Sequence, residues 1–313
     1  MIVVTGGAGF IGSHLVSELK KIGIEKIIVV DNLRNEEKNK KLIESQTYEY
    51  IDKIDFLELI EKRAPICKEI DFIFHQGACT VTTEWDCRYM MSNNYRYSKI
   101  LLNFCLERSI PFIYASSAAV YGISSDFREK RKNEAPVNIY GYSKWLFDQY
   151  VRSIKKKIKS QVVGLRYFNV FGPREGHKNS MASVVYHFNN QINETGELKL
   201  FTGSHGYNNG EQLRDFIFVD DIIKINLWMM SNPNVSGIYN AGTGVAHSFN
   251  DIANTIIERR KKGKIKYIPF PKELDESYQS YTEANLKNLR LAGYEEEFIS
   301  ISKGINTYLD VLC

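Results

Sequence analysis

The stretch MIVVTGGAGFIGSHLVSELKK (residues 1–21) sets a short apolar run, a glycine-rich turn and an amphipathic segment end to end. It reads as a strand, a tight turn and a helix. Gly6, Gly9 and Gly12 suit the turn, a close backbone approach to a pyrophosphate and close helix packing. The helix start offers free N–H groups and a positive dipole end to phosphate. A second apolar run, KIIVVD (26–31), ends on Asp31, 19 positions after Gly12. That is near the roughly 20 expected of an acid that binds the adenosine ribose. Strand, turn, helix and terminal acid in this order predict a dinucleotide site. The acid favours NAD, because it repels a 2′-phosphate, but Arg34, Lys38, Lys40 and Lys41 follow at once and Lys53 is close along the chain. Cations of this kind neutralise a 2′-phosphate, so the expected preference is for NADP, with NAD possible.

Beyond the opening, apolar strands alternate with helices. DFIFHQGA (71–78), PFIYASS (111–117) and QVVGLRYFN (161–169) read as strands, Asn93–Arg108 and Tyr142–Ile154 as helices. Apolar runs alternating with helices predict an α/β protein: a doubly wound parallel Rossmann sheet covered on both faces. After Asn169 the rhythm changes. A helix from about Met181 and a polar stretch, GSHGYNNGEQLR, which reads as a mobile loop or lid, precede the strand RDFIFVDD (214–221). GIYNAGTG (237–244) follows, then a capping-box pattern at Ser248–Asp251 and the strand KYIPFP. The expected division is a nucleotide-binding domain over 1–172 and 214–246, and a smaller discontinuous α/β substrate domain over 173–213 and 247–313.

At 43% hydrophobic and 25% charged residues with a net charge of +4, the chain has an ordinary globular balance. The basic runs KKKIK (155–159) and RRKKGKIK (259–266) lack interleaved aromatics and follow predicted helices. They read as solvated helix ends, not a nucleic-acid surface. Five scattered cysteines (67, 79, 87, 105, 313) without a Cys-x-x-Cys pair argue against a disulfide framework or zinc site and fit a reducing compartment. His177 and His187 are ten apart with no third ligand nearby, so no metal site is expected. No apolar run reaches the length of a membrane span, and a first strand at Ile2 leaves no room for a signal peptide. These features predict a cytoplasmic protein without a membrane partner.

YGYSK (140–144) places two phenols and an ammonium in five positions. On a helix, Tyr140 and Lys144 share a face and Tyr142 does not. A phenol titrates near about 10, and a neighbouring ammonium favours the phenolate, which makes Tyr140 the candidate acid/base.

TGGAGFIG, SSAAVYG (116–122) and YGYSK together resemble the extended short-chain dehydrogenase/reductase family, the NAD-dependent epimerases and dehydratases, along the whole chain. The resemblance implies that Tyr140 is the acid/base, that Lys144 lowers its pKa and holds the nicotinamide ribose, and that Ser117 hydrogen-bonds the reacting oxygen. Ala118 and Ala119 follow Ser117 where dehydratases of the family carry Asp and Glu. A dehydratase is therefore disfavoured, while an epimerase or reductase acting on another nucleotide sugar stays open. FHQGACT, TTEWD, YMMSNNY, RYFNVFGPREGHKNSMASV, RDFIFV and FNDIANTI resemble the branch that inverts the sixth carbon of an ADP-linked heptose for lipopolysaccharide. That resemblance implies cofactor contacts from Gly6, Gly9, Phe10, Ile11, Gly12, Asp31, Asn32, Lys38, Lys53, Gln76, Gly77, Ala78, Cys79, Thr80, Asn93, Lys144, Val170 and Lys178. It implies substrate contacts from Asn169, Ser180, His187, Phe201, Thr202, Gly203, Ser204, Arg214 and Tyr278. Lys178 is the candidate second base, and a homopentamer is the implied assembly. Arg214 and His187 are chemically suited to a pyrophosphate. The sequence departs from this pattern at Gln76, where an acid is expected, and in the length of GSHGYNNGEQLR.

Overall fold

Ile2–Thr5 (β1) and Ile27–Asp31 (β2) are buried at every position, as β-branched runs covered on both faces should be. They belong to a chain whose computed structural model describes residues 1–33, 36–82, 84–272 and 278–312. The chain forms two units. The first comprises Met1–Val120, Asn138–Arg166 and Ile223–Tyr239, and the second Tyr121–Val137, Tyr167–Ile222 and Asn240–Cys313.

In the first unit β1 leads into α1 (Phe10–Lys21), and β2 is followed by α2 (Glu36–Ser45), β3 (Glu49–Asp52) and α3 (Lys53–Glu61). Then come β4 (Phe72–His75), α4 (Cys87–Met91), α5 (Tyr97–Arg108), β5 (Phe112–Ser117), α6 (Ile139–Ser153) and β6 (Val162–Tyr167). With β10 (Gly237–Ala241) they build a seven-stranded sheet in the order β10-β6-β5-β4-β1-β2-β3. Strand β1 pairs parallel with β2 and β4, β2 with β3, and β4 with β5. The order reverses at β1, the switch point of a doubly wound Rossmann sheet. Val3, Ile28, Ile73, Phe112 and Val162 from the strands, and Leu101, Leu102, Cys105 and Phe147 from the helices, form one apolar cluster.

Two elements of this unit differ from the expected ones. Strand β3 has no interior position that is fully buried, so its sequence, EYID, carries little apolar signal. The helix expected from Asn93 begins at Cys87 and is interrupted by a π turn over Ser92–Arg96.

The second unit holds β7 (Asn169–Phe171), α7 (Val184–Glu194), β8 (Glu197–Phe201) and β9 (Leu213–Phe218). Helix α8 (Val219–Ser231) follows β9 and from Ile223 onward belongs to the first unit, while β11 (Ala246–Ser248), α9 (Phe249–Arg260), β12 (Lys264–Ile268), α10 (Lys287–Leu291) and α11 (Ile301–Val311) complete the second. Strand β9 lies between β7 and β11, and β12 pairs parallel with β8. Its core is aromatic and aliphatic: Phe171, Val185, Phe188, Phe216, Phe218, Ile252 and Tyr308 are members of one cluster. The capping box at Ser248 and Asp251 is present. The RDFIFV strand pairs within this unit and not in the large sheet, and the observed units differ from the expected division at 121–137, 167–172, 214–222 and 240–246.

Candidate active site

The glycine turn is built by contact, not by composition alone. Gly6 has a φ of +68°, in the left-handed region, and its N–H donates to the Val30 carbonyl at 2.7 Å. Gly9, the residue before α1, provides no side-chain cap, and the first turn of the helix has no acid. The N–H groups there suit an anion. The Asp31 carboxylate accepts from the Ala8 and Asn32 N–H groups at 3.0 and 2.7 Å, which pins the end of β2 to the turn. Lys38 donates to Asp31 and to the Asn32 side chain, each at 2.8 Å. Lys53 opens α3 directly beyond Asp52, the cross-strand partner of Asp31, and its ammonium donates to Asn93 Oδ1 at 2.6 Å. Arg34 lies outside the described residues.

After β4 the chain passes close to the turn. Gln76 N–H donates to the Thr5 carbonyl at 3.0 Å and Gly77 N–H to the Thr5 hydroxyl at 3.2 Å. The Gln76 carboxamide donates to Asn226 Oδ1 at 3.2 Å, a neutral contact where an acid was expected. Asn94, buried in the π turn, clasps Cys79: its Oδ1 accepts from Cys79 N–H at 2.8 Å and its Nδ2 donates to Cys79 C=O at 2.9 Å. Its Nδ2 also donates to Ser143 Oγ at 3.1 Å. Nothing in the sequence pattern signals Asn94, because π turns have no composition of their own. The structure thus fixes the Gln76–Cys79 backbone against both β1 and α6.

Helix α6 begins one residue before Tyr140, with Asn138 as its N-cap: Asn138 Oδ1 accepts from Gly141 N–H at 2.8 Å. Tyr140 and Lys144 therefore share a face, and Tyr140 makes a side-chain hydrogen bond with Ser117 at the C-terminal end of β5. Tyr142 is 42% exposed and its ring lies 5.4 Å from that of Trp145. Burial raises the Tyr140 phenol above its ordinary pKa against the opposing hydrogen bond from Ser117. The lowering expected from Lys144 does not prevail. The Lys144 ammonium is held on the Ala115 carbonyl at 2.8 Å, and burial has itself pushed it down to about 8.

In the second unit, Lys178 sits in a 3-10 segment (Gly176–Met181) after β7, with Asn179 at φ 50° beside it. Burial lowers its pKa, opposed by Glu175, whose carboxylate is 4.0 Å from the ammonium. Glu175 is fully buried and accepts from the Ser183 N–H and hydroxyl, each at 2.6 Å, so it organises the whole loop. Ser180 is exposed on that loop, and Asn169 and Val170 pair with Phe216 and Ile217 of β9.

Arg214 is buried beneath Tyr278, with its guanidinium carbon 4.8 Å from the ring centroid. Phe201 and Phe270 pack edge-on around the same ring, at 6.5 and 5.0 Å. Gln212 joins Thr202 and Ser204 by donating to the Thr202 carbonyl at 3.2 Å and the Ser204 hydroxyl at 3.0 Å. Phe201, Thr202, Ser204, Arg214 and Tyr278 thus form one cluster, and Gly203 is tied to it through Asn209. The long GSHGYNNGEQLR stretch is fastened at Gly210, whose N–H donates to the Phe201 carbonyl at 3.0 Å and whose carbonyl accepts from Asn250 N–H at 3.1 Å, and at Leu213, whose N–H donates to the Ser280 carbonyl at 2.9 Å. His187 stands apart on α7, its ring 5.8 Å from Tyr186. Gln212 and Phe270 escaped the sequence reading. Gln212 lies two positions before Arg214, where the period of a strand puts residues on one face, and that was the available signal.

The switch-point sheet, the glycine turn and the Ser117–Tyr140–Lys144 arrangement define a nicotinamide-nucleotide-dependent short-chain enzyme. The profile of the NAD dependent epimerase/dehydratase family matches residues 2–242, and the chain belongs to that family. It is 53% identical over 312 residues, 100% of this chain and 97% of the relative, to the ADP-L-glycero-D-manno-heptose-6-epimerase of Alkalilimnicola ehrlichii. The crystal structure of the Helicobacter pylori ADP-L-glycero-D-manno-heptose-6-epimerase matches with a TM-score of 0.85 at 34% identity, over 99% of this chain and 95% of that one. The UDP-N-acetylglucosamine 4-epimerase of Methanobrevibacter ruminantium also matches at a TM-score of 0.85, with 27% identity over 99% and 97% of the two chains.

Proposed function

We propose that the chain is an ADP-heptose 6-epimerase, which converts ADP-D-glycero-D-manno-heptose to ADP-L-glycero-D-manno-heptose through a 6-keto sugar, in the cytoplasm, for lipopolysaccharide core. The observation that carries this reading is full-length identity of 53% to an enzyme of that name, on a chain that retains the Ser117, Tyr140 and Lys144 arrangement. The four described cysteines are free thiols, and no described helix is long and apolar enough to cross a membrane; Cys313 lies outside the described residues. The family resemblance supports a homopentamer.

A bound nicotinamide nucleotide supplies hydride uptake from the carbinol carbon and its return. The rest falls to side chains. Ser117 and Tyr140 hold the carbinol oxygen of one epimer, and Tyr140 moves its proton. Lys144 orients the ribose and keeps positive charge beside the phenol. The epimeric alcohols point in different directions, so one fixed base does not serve both, and Lys178 is the candidate for the second. Burial lowers its pKa from the ordinary lysine value, the direction a general base requires. Arg214 and the Phe201–Ser204 segment, with Tyr278, form the cluster that would take the nucleotide diphosphate. Incubating the purified protein with ADP-D-glycero-D-manno-heptose and following the sugar's stereochemistry tests the reading. Conversion of UDP-galactose with none of the ADP-heptose would favour the alternative, another nucleotide-sugar epimerase or reductase.

NADP is the finer cofactor assignment. The Asp31 charge is already offset by Lys38, and Lys53 adjoins the end of the same strand pair. A charged hydrogen bond contributes about 1.5–3 kcal/mol. Lys38→Met with Lys53→Met should therefore weaken NADP binding by tenfold or more relative to NAD, roughly as that energy implies. Equal weakening of both nucleotides in a fluorescence titration would remove these lysines as 2′-phosphate ligands.

A further inference from the structure

Asp148 stands one turn beyond Lys144, so Tyr140, Lys144 and Asp148 follow one another at four-residue steps along one face of α6. Its carboxylate is fully buried and saturated. Oδ1 accepts from the Tyr114 hydroxyl at 2.9 Å, and Oδ2 from the Ser116 hydroxyl at 3.0 Å. Oδ2 also accepts from Arg166 Nε and Nη2 at 2.9 and 2.8 Å. Tyr114 and Ser116 flank Ala115 on β5, the residue whose carbonyl takes the Lys144 ammonium. Space for the Tyr114 phenol comes from β6, where a Cβ at Gly164 would stand 2.4 Å from its hydroxyl oxygen. One buried carboxylate thus grips both neighbours of the carbonyl on which Lys144 rests.

We propose that Asp148 is a positioning residue for the reacting pair: it locks the β5 carbonyl that holds Lys144 and sets a buried carboxylate one helical turn beyond its ammonium. This rests on the reading of Tyr140 and Lys144 as the reacting pair. A fully buried ammonium is otherwise unfavourable. Burial pushes Lys144 down to about 8, and the Asp148 charge is the first influence opposing it. Cys79 after β4 also opposes the lowering, and His75 on β4 feels the Lys144 charge; Tyr140 lies one turn back on the same helix, and Tyr114 on β5 and Arg166 on β6 meet the Asp148 carboxylate. His75 is held neutral by burial, its pKa lowered to about 3, with the Lys144 charge acting in the same direction. None of these supplies a second buried carboxylate.

The test is the pH profile of kcat for ADP-heptose conversion. Loss of the Asp148 charge moves the Lys144 pKa down, so the alkaline limb of the profile moves to lower pH. Asp148→Asn keeps an acceptor for Tyr114 and Ser116 but removes the charge. Its alkaline limb should move down by about one unit, so kcat above the limb falls by about tenfold, with much less loss at pH values below it. KM for the sugar nucleotide should hold within about threefold, since nothing that binds ground state and transition state alike is removed. Should stranded Arg166 prevent folding, Asp148→Asn with Arg166→Gln removes both charges, and its limb must lie below that of Arg166→Gln alone, which shares the lost guanidinium. An equal loss of kcat at every pH, in whichever variant folds, overturns the proposal. Lys144→Met measured alongside separates the two failures. Wild-type turnover in that variant sinks the reading of the pair together with the proposal, whereas a dead Lys144→Met beside an unmoved limb sinks the role of Asp148 alone.

Discussion

Tyr140→Phe should lower epimerisation by roughly 10²–10⁴-fold, the scale of a lost general acid–base group. The variant keeps the ring in place, so the loss measures the hydroxyl. Tyr140 hydrogen-bonds Ser117 and its phenol is held above its ordinary pKa by burial. It is therefore protonated at neutral pH and poised to give a proton to a ketone oxygen. Lys178→Met should cost at least ~10²-fold by the same argument, because full inversion requires both half-reactions. The two losses become distinguishable with an ADP-sugar analogue carrying an aldehyde at the sixth carbon, which can be dismutated without complete epimerisation. Each single variant should retain part of that reaction through the base that survives, and the double variant should retain none. Tyr142→Phe should leave both assays nearly unchanged, since Tyr142 is 42% exposed and packs on Trp145. Normal epimerisation by Lys178→Met beside a dead Tyr140→Phe would replace two bases with one base and a turning substrate.

What could be read in the sequence follows the strength of local patterns. Strands β1, β2, β4, β5 and β6 are apolar runs buried on both faces, and every one was legible. Strand β3 was not, because an edge strand spelled EYID is half exposed and carries charge, as edges tend to. RDFIFV was legible as a strand, but its partners were not. Strand pairing is a long-range choice that an isolated apolar run does not encode, and here β9 sits between β7 and β11. The i, i+4 relation of Tyr140 and Lys144 could be read from spacing, whereas the Ala115 carbonyl that accepts from the Lys144 ammonium could not. Glu175 shows the same limit: an acid three before Lys178 looks like a solvated loop residue until its burial is known. Asn94 and Asp148 work through backbone and buried partners on other elements, which motif spacing does not contain.

Gly12→Ala should abolish tight dinucleotide binding and destabilise the first unit together. A Cβ at position 12 would lie 2.1 Å from the Gly6 carbonyl oxygen and 2.7 Å from its carbon, both backbone atoms. Small-to-large changes in packed sites cost about 1–3 kcal/mol, occasionally more, and this clash has no flexible side chain to yield. The turn cannot back away without loss. The Gly6 carbonyl accepts from Gly9 N–H at 2.9 Å and the Gly6 N–H donates to Val30 at 2.7 Å. On its other side Gly77 is also close, with its nitrogen 2.6 Å from where a Gly6 Cβ would sit. Gly6 is therefore wedged between the helix and the loop after β4. Relief of the clash must either break the hydrogen bonds that shape the turn or push α1 away from the pyrophosphate position. Gly9→Ala, whose Cβ would meet the same oxygen at 3.0 Å, needs a shift of only a few tenths of an ångström and should be milder in both respects. Thermal melting with NADP titration of the two variants decides the matter. A Gly12→Ala protein with unchanged melting temperature and unchanged affinity would mean that α1 can slide along the turn, and that the tight packing of the three glycines is not what holds the phosphates.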